Sequence, residues 1–332
     1  MAKVRLADIA KVAGVSAVTV HNAITGQKGV SDEMRARILE IAKEMGYRQP
    51  GSGARNTQGK SLRCIGVVIP ERYLAEYTTF YWKMYQEMAL AATEKSCMVT
   101  VEILKQEMED EMIVPCIAKE QTVDALILMG DTSRDYIHYL KKNVDPIVFL
   151  DFYDNELAKD AVIADNFHGM YLMTEYLYEH GLTKLAFVGS IHFSSSIMDR
   201  YCGFSKAVLE HRDVTPAEWI LEDRDERGQI EIHLPEQMPE AFVCNCDLTA
   251  GLLMLELEKR GISVPEDVSV VGFDNYLYPG FPDLKITSYE INTKAMVKVA
   301  LEKALKQIRG AASGKNMEIV SGQLVPKESV KL

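Results

Sequence analysis

The sequence predicts a small all-α helix-turn-helix domain followed by an α/β core of two doubly wound parallel-sheet lobes. Three observations carry this expectation. The first 47 residues show apolar positions at helical spacing, punctuated by Gly and Ser. From residue 62 onward, short apolar runs alternate with longer helical stretches, the pattern of parallel strands covered on both faces. Charge is also divided: residues 1–60 hold ten Lys or Arg and five Asp or Glu, about +5, so from a total of −11 the other 272 residues carry −16.

In the head, Leu6, Ile9, Ala10 and Ala13 share one helical face, and Gly14 stops that helix before Val15. Ser16 suits the N-cap of a second helix, whose hydroxyl can accept an early amide hydrogen. Val20, Ala23 and Ile24 line its inner side, and it ends near Gly26. Ser31 caps a third helix, with Asp32 and Glu33 placed favourably against its dipole. Met34, Ile38, Ile41, Ala42 and Met45 form its inner stripe, and Gly46 is its natural stop.

A short turn between the first two helices is the arrangement in which the second helix enters the DNA major groove. A three-helix scaffold without a nucleic-acid role shows the same apolar pattern, so the outward face must discriminate. There Ala17, Val18, His21 and Asn22 are small, apolar or hydrogen-bonding, with no acidic side chain to repel phosphate. A basic head on an acidic body points the same way, to a polyanion-binding unit attached to something else.

In the core, buried-strand runs stand at CIGVVI (64–69), MVTVEIL (98–104), DALILM (124–129), PIVFLD (146–151), KLAFVG (184–189), EAFVCN (240–245) and VSVVGFD (268–274). Helical stretches separate them at 80–95, 167–180, 198–210, 247–260 and 293–309. About 270 residues exceed one doubly wound sheet, hence two lobes. No GxGxxG follows a strand and no GxxxxGK[ST] is present, so no nucleotide cofactor is expected. Cys244 and Cys246 share a strand face, yet no second pair completes a zinc site, so they read as packing cysteines and no metal is expected.

Composition sets the context. With 47% hydrophobic and 26% charged residues the chain is neither disordered nor fibrous. It has no run of 18 apolar residues, so a membrane partner is not expected. Its start carries Lys3, Arg5 and Asp8 without an apolar segment, and six cysteines make no disulfide framework, which together favour a cytoplasmic location.

The run LADIAKVAGVSAVTVHNAITG, followed by VSDEMRARILEIAKEMGY, resembles the headpiece of the LacI/GalR family of transcription regulators. The later segments VIADNFHGMYLMTEYLYEHGLTKLAFVG, SSSIMDRYCGFSKAVLE, CDLTAG, VPEDVSVVGFDN and LVPKESV resemble that family's effector-binding core, related in fold to periplasmic binding proteins. The resemblance implies a DNA-binding repressor, not an enzyme, acting as a homodimer on operator DNA. It also implies control by a small molecule, a sugar or polyol by family default, held between two lobes. The expected divisions are a headpiece at 1–47, a hinge at 48–61 and a core at 62–332. The N-lobe would take about 62–162 and 292–322, and the C-lobe 163–291 and 323–332. Lobe crossings are expected near 161–164, 288–291 and 321–325. The chain ends soon after LVPKESV without a leucine-rich extension, so a dimer rather than a tetramer is expected.

Departures from the family pattern bear on the operator. Relatives usually carry Ser-Arg where this chain has His21-Asn22, and asparagine pairs best with adenine, whereas arginine reads guanine. Ala17 and Val18 offer apolar contact to a thymine methyl, while Ser16 and Thr19 suit phosphate contacts. In the hinge, Ala54 and Arg55 match the family, but Thr57 replaces the wedging leucine, and Gly51 and Gly53 each disfavour helix by about 1 kcal/mol. Weaker hinge ordering and less operator bending follow.

Ligands of such cores lie where strand carboxyl ends converge. Tyr73, Asp131, Asp151, Ser194–Ser196, Asp247 and Asp274 follow strands, and Arg200 stands early in a helix. In the family, the arginine of R-x-x-G-F (Arg200) and the aspartate of G-F-D (Asp274) commonly bond the effector, since a guanidinium fork and a carboxylate suit vicinal hydroxyls. Tyr73, Phe80, Phe204 and Tyr276 are the aromatics placed to stack on a ring. Cys246-Asp247 replaces the family's Asn-Asp, and a thiol cannot make an amide's hydrogen bonds. The alternative is a cytoplasmic solute-binding protein or enzyme on the same α/β core. It is opposed by the lack of a nucleophile elbow, metal cluster or phosphate loop, and by a head that catalysis would not need.

Overall fold

The computed structural model describes residues 6–25, 29–45, 62–74, 80–119, 122–154, 160–225, 228–279, 284–310 and 316–331. The chain divides into two compact units, Met1–Ser61 and Leu62–Leu332. No described helix is long and apolar enough to cross a membrane.

The first unit holds α1 (Leu6–Ala13), α2 (Ala17–Thr25) and α3 (Asp32–Glu44). Ile9, Ala10, Ala13, Val20, Ala23, Ile38 and Ala42 close a small core of their own, the inner stripes that the spacing predicts. Gly14 ends α1 by taking a φ of +68°, which costs a glycine nothing. The Val15 amide then reaches back to the Ala10 carbonyl at 3.1 Å. Residues 46–61, with Gly46, Gly51, Gly53, Ala54, Arg55 and Thr57, lie outside the described residues, as does Gly26.

In the second unit, one sheet is built from β1 (Arg63–Pro70), β2 (Cys97–Leu104), β3 (Ala125–Met129), β4 (Ile147–Leu150), β5 (Asp160–Ala164) and the late β11 (Asn316–Val320). Its order is β11-β5-β4-β3-β1-β2, all parallel. Alternate residues of β1 serve opposite faces. Ile65, Val67 and Ile69 join the core under α4 (Phe80–Glu94) and α11 (Thr293–Ile308). Val68 joins the core under α7 (Arg134–Asn143), where Met108 of α5 (Gln106–Asp110) and Ile117 of α6 (Cys116–Lys119) also pack.

The other sheet contains β6 (Leu185–Val188), β7 (Ile220–Leu221), β8 (Ala241–Cys244), β9 (Ser269–Asp274), β10 (Thr287–Glu290) and β12 (Gln323–Val325). Its order is β12-β10-β9-β8-β6-β7, parallel except for the β10–β12 pair. One face carries α8 (Asn166–Glu179) and α9 (Ser195–Glu210), the other α10 (Asp247–Lys259). In both lobes the first five strands therefore lie in the order 2-1-3-4-5. Each thus has a switch point where its first and third strands lie side by side.

The chain passes between lobes after β5, between β10 and α11, and between β11 and β12. The segments expected as bare crossings thus include strand: β5, β10 and β12 pair before or after the chain changes lobe. At three residues β12 leaves little trace, and β10 is polar in sequence although Thr287 and Ser288 are wholly buried. A single apolar cluster runs through both lobes. Tyr289 sits within it, stacked on Phe273 at 4.9 Å, and its hydroxyl accepts the Gly322 amide at 2.8 Å. A side chain at Gly322 would collide with Glu290 O and the Tyr289 ring, so this crossing requires glycine.

Candidate functional site

Two places concentrate functional chemistry: the outward face of α2 and the cleft where the two sheets' strand ends meet. In the head, the Ser16 hydroxyl accepts the Thr19 amide hydrogen at 3.1 Å and lies 2.8 Å from the Thr19 hydroxyl. The cap therefore already engages the two hydroxyls expected at phosphate. Ala17, Val18 and His21 are exposed, Val18 by 67%, and Asn22 is half-buried beside them. Arg35 donates to the Ala23 carbonyl at 3.2 Å, tying α3 to the last turn of α2, where a cation is favoured.

On the first lobe's side of the cleft, Tyr73 ends a short 3-10 turn after β1, Asp131 follows β3 and Asp151 follows β4. The Tyr73 and Tyr81 rings lie 4.7 Å apart over Gly130, whose φ of +90° and contact with both rings admit no side chain. Tyr81 donates its hydroxyl to Asp151 Oδ2 at 2.8 Å. Arg72, which sequence reading passed over, donates to Glu109 at 2.8 Å and to the Asp131 carbonyl at 2.5 Å. It thereby holds the Asp131 backbone, and its guanidinium lies 5.3 Å from the Tyr73 ring centre.

On the second lobe's side, Arg200 is enclosed. Its Nε donates to Asn166 Oδ1 at 2.9 Å, one Nη donates to the Asn245 carbonyl at 2.7 Å, and the other stands 3.4 Å from Asp274 Oδ1. Its guanidinium also lies 4.0 Å from the Phe273 ring centre. Asp247 braces the loop after β9, accepting from Ser288 at 2.7 Å and from the Tyr276 amide at 2.9 Å. Ser194 caps α9 through the Ile197 amide at 3.2 Å. Phe204 is buried against Phe187 and Tyr201 inside the lobe, so the expected stacking role is corrected: helical spacing turns it into the core.

A second buried network also escaped sequence reading. Asp223 accepts from Arg224 and Asn245 at 2.6 Å each, from Thr249 at 2.7 Å and from the Ser190 amide at 2.8 Å. Asn245 thus supplies an amide one position before Cys246, although it is spent inside the lobe. Arg224 lies 4.7 Å from the Phe193 ring centre. It sits in a segment without periodicity, which left no signal to find it. Cys244 and Cys246 are buried free thiols.

Contacts span the cleft. Ser196 donates to the Asp151 carbonyl at 3.3 Å, Phe80 meets Tyr276 edge-on at 6.4 Å, and Lys83 stands 5.8 Å over the Tyr276 ring. Burial pushes the Asp274 carboxyl up to about 7, offset in part by Arg200 and reinforced by Asp151. Burial likewise raises Asp131 to about 6 against the opposing pull of Arg72. It raises Asp151 and Asp247 too. Asp223 goes the other way: burial pushes it up, but Arg224 and the hydrogen bonds from Thr249, Ser190 and Asn245 prevail and lower it.

A three-helix head with an outward-facing second helix, joined to a two-lobed core with a polar cleft, defines a DNA-binding regulator with a ligand-binding body. Comparison with known proteins agrees. Residues 5–49 match the family described as bacterial regulatory proteins, lacI family, and residues 174–330 match a periplasmic binding protein-like domain. The chain is 24% identical over 330 residues to the HTH-type transcriptional repressor PurR of Aliivibrio salmonicida (strain LFI1238), covering 97% of this chain and 98% of that one. It is 26% identical over 317 residues to PurR of Glaesserella parasuis serovar 5 (strain SH0165), covering 91% and 89%. The fold matches the transcriptional regulator CelR–cellobiose complex with a TM-score of 0.66 at 20% identity, covering 98% and 100%. It matches the lac repressor dimer bound to operator and the anti-inducer ONPF at 0.65 and 21%, covering 99% of each. The chain belongs to the LacI/GalR family of bacterial transcription regulators. Its relatives are transcriptional repressors, not enzymes.

Proposed function

We propose that this protein represses transcription as a cytoplasmic homodimer. Its paired heads bind a near-palindromic operator, and a small molecule of sugar or polyol type, held between the lobes, biases them between two arrangements and so changes operator affinity. In this reading Ser16, Ala17, Val18, Thr19, His21, Asn22, Ala54 and Arg55 meet DNA. Tyr73, Asp131, Asp151, Ser194, Arg200, Asp247, Asp274 and Tyr276 form or brace the effector cleft. Head, hinge and core divide at about residues 47 and 61.

The observation that carries the reading is the exposed Val18 beside Ala17, His21 and Asn22, on a helix whose opposite side closes a complete core. Relatives described as repressors, a transcriptional regulator solved with cellobiose and a lac repressor dimer solved on operator with an anti-inducer support it by likeness. The test is salt-dependent retention on DNA by the full chain. Neutralising phosphates releases counterions, so binding falls steeply with salt. Removing residues 1–60 should abolish retention, and retention unchanged by that deletion would refute the reading.

A further inference from the structure

We propose that Asp151 and Asp274 form a clamp of two carboxylates, one from each lobe, for the protonated amine of an amine-bearing sugar or polyol. This rests on the reading that the cleft binds the effector, and it names the effector's chemical class.

The two residues hold equivalent places. Asp151 follows β4 and Asp274 ends β9, each at the carboxyl end of a parallel strand, and both take a positive φ, +68° and +99°. Such backbone is sparsely populated and collects at ligand clamps, where it aims a side chain that ordinary strand geometry would send elsewhere. Asp151 is 5% exposed. Its Oδ2 accepts from Tyr81, but its Oδ1 is buried without any partner. Asp151 meets the opposite lobe directly, its carbonyl accepting from Ser196 at 3.3 Å, and Arg200 of that lobe stabilises its carboxylate.

Positive charge around the cleft reaches Asp274 from Lys83 and Asp247 from Lys327, but of the cations only Arg200 acts on Asp151. Arg72 is held by Glu109, Arg224 by Asp223, and Arg200 is divided among Asn166, the Asn245 carbonyl and Asp274. Among the described residues Asp131, Asp151 and Asp247 form no ion pair. An anionic ligand would add to this excess in a site from which closure removes water and strengthens every charge interaction. A neutral hydroxyl donates one hydrogen bond and leaves the carboxylate charge buried and uncompensated, which is costly. An ammonium group brings three donors and the missing charge together.

The test uses the full-length protein and three triplets of equal carbon number that differ in charge: glucosamine, glucose and gluconate; galactosamine, galactose and galactonate; and, as a control without a sugar, putrescine, butanediol and succinate. A ligand selective for the folded state raises the thermal midpoint by mass action. The amine should give the largest shift in at least one sugar triplet, and Asp151→Asn should weaken its binding by about tenfold or more, the loss of a charge-assisted bond. If Asp151→Asn does not fold, the ranking within the wild-type triplets decides alone. A neutral or anionic member equalling or exceeding the amine in both sugar triplets overturns the proposal. So does the absence of any amine shift from protein that still binds operator DNA. Wild-type protein that binds no DNA overturns the repressor reading instead, and the ranking of shifts still judges the clamp.

Discussion

Arg200 Nη2 lies 3.4 Å from Asp274 Oδ1, with the two side chains only 7% and 8% exposed. Removing one member of a buried pair leaves the other charge without compensation, at a cost of about 3–5 kcal/mol. Arg200→Ala should therefore lower stability by that order, read as the denaturant midpoint of the core. Arg200→Lys keeps the charge but loses the fork that reaches Asn166 and Asn245 together, so it should rescue only part of the loss. A wild-type midpoint in Arg200→Ala would show that the pair is not closed in solution.

Stability should fall as pH rises through the neutral range. Asp274 is raised to about 7 and Asp131 to about 6, so the folded chain holds protons there that the unfolded chain, titrating near 4, has released. Their contribution is complete below about pH 4 and lost as pH climbs through 6 and 7. Arg200, Asp151, Arg224 and Lys83 all act on Asp274 and set where its loss falls. Melting temperatures taken between about pH 5 and pH 8 should show the decline, and Asp274→Asn should flatten it. Asp223 has the opposite sign, since a lowered carboxyl stabilises above its unfolded value, and its effect belongs to more acidic solutions.

On the head, Asn22→Ala should relax base choice at one position of each half-site and weaken specific binding by about 1–3 kcal/mol. Binding-site selection should recover adenine there with Asn22 present and no preference without it. Guanine recovered by both proteins would remove Asn22 from base recognition.

Gly203→Ala tests how closely the second lobe's helices pack. A Cβ at Gly203 would run into the Phe167 carbonyl, where α9 crosses α8, and backbone cannot yield as a side-chain tip does. Overpacking of this kind costs about 1–3 kcal/mol, so the core should melt earlier while isolated-head DNA contacts stay unchanged. A neutral result would mean that the two helices can part without penalty.

Legibility followed burial on both faces. β1, β3, β4, β6, β8 and β9 are apolar runs because helices cover both sides of each sheet, and such runs announce themselves. β10 does not, because Thr287 and Ser288 face polar partners, the Ser329 hydroxyl, the Lys327 amide and the Asp247 carboxyl. β11 is an exposed edge with Met317 and Ile319 toward solvent, so no apolar continuity marks it. α7 hides behind its polar side, with only Tyr136, Ile137 and Leu140 turned inward. In the cleft, strand ends pointed to Asp151 and Asp274, but Arg72 and Tyr81 act through contacts 37 to 70 positions away, and the Asp223 that holds Arg224 is fixed by residues 22 to 33 positions away, which local pattern does not encode.

Three separate passages of backbone join the lobes, and the last is locked where Gly322 meets Tyr289. A protease that severed one passage would therefore leave two covalent ties and a shared apolar interior holding the halves together. Nicked molecules should migrate as one particle in native gels and fall into fragments only in detergent, and whatever torsional freedom the nick releases would be readable without dissociation.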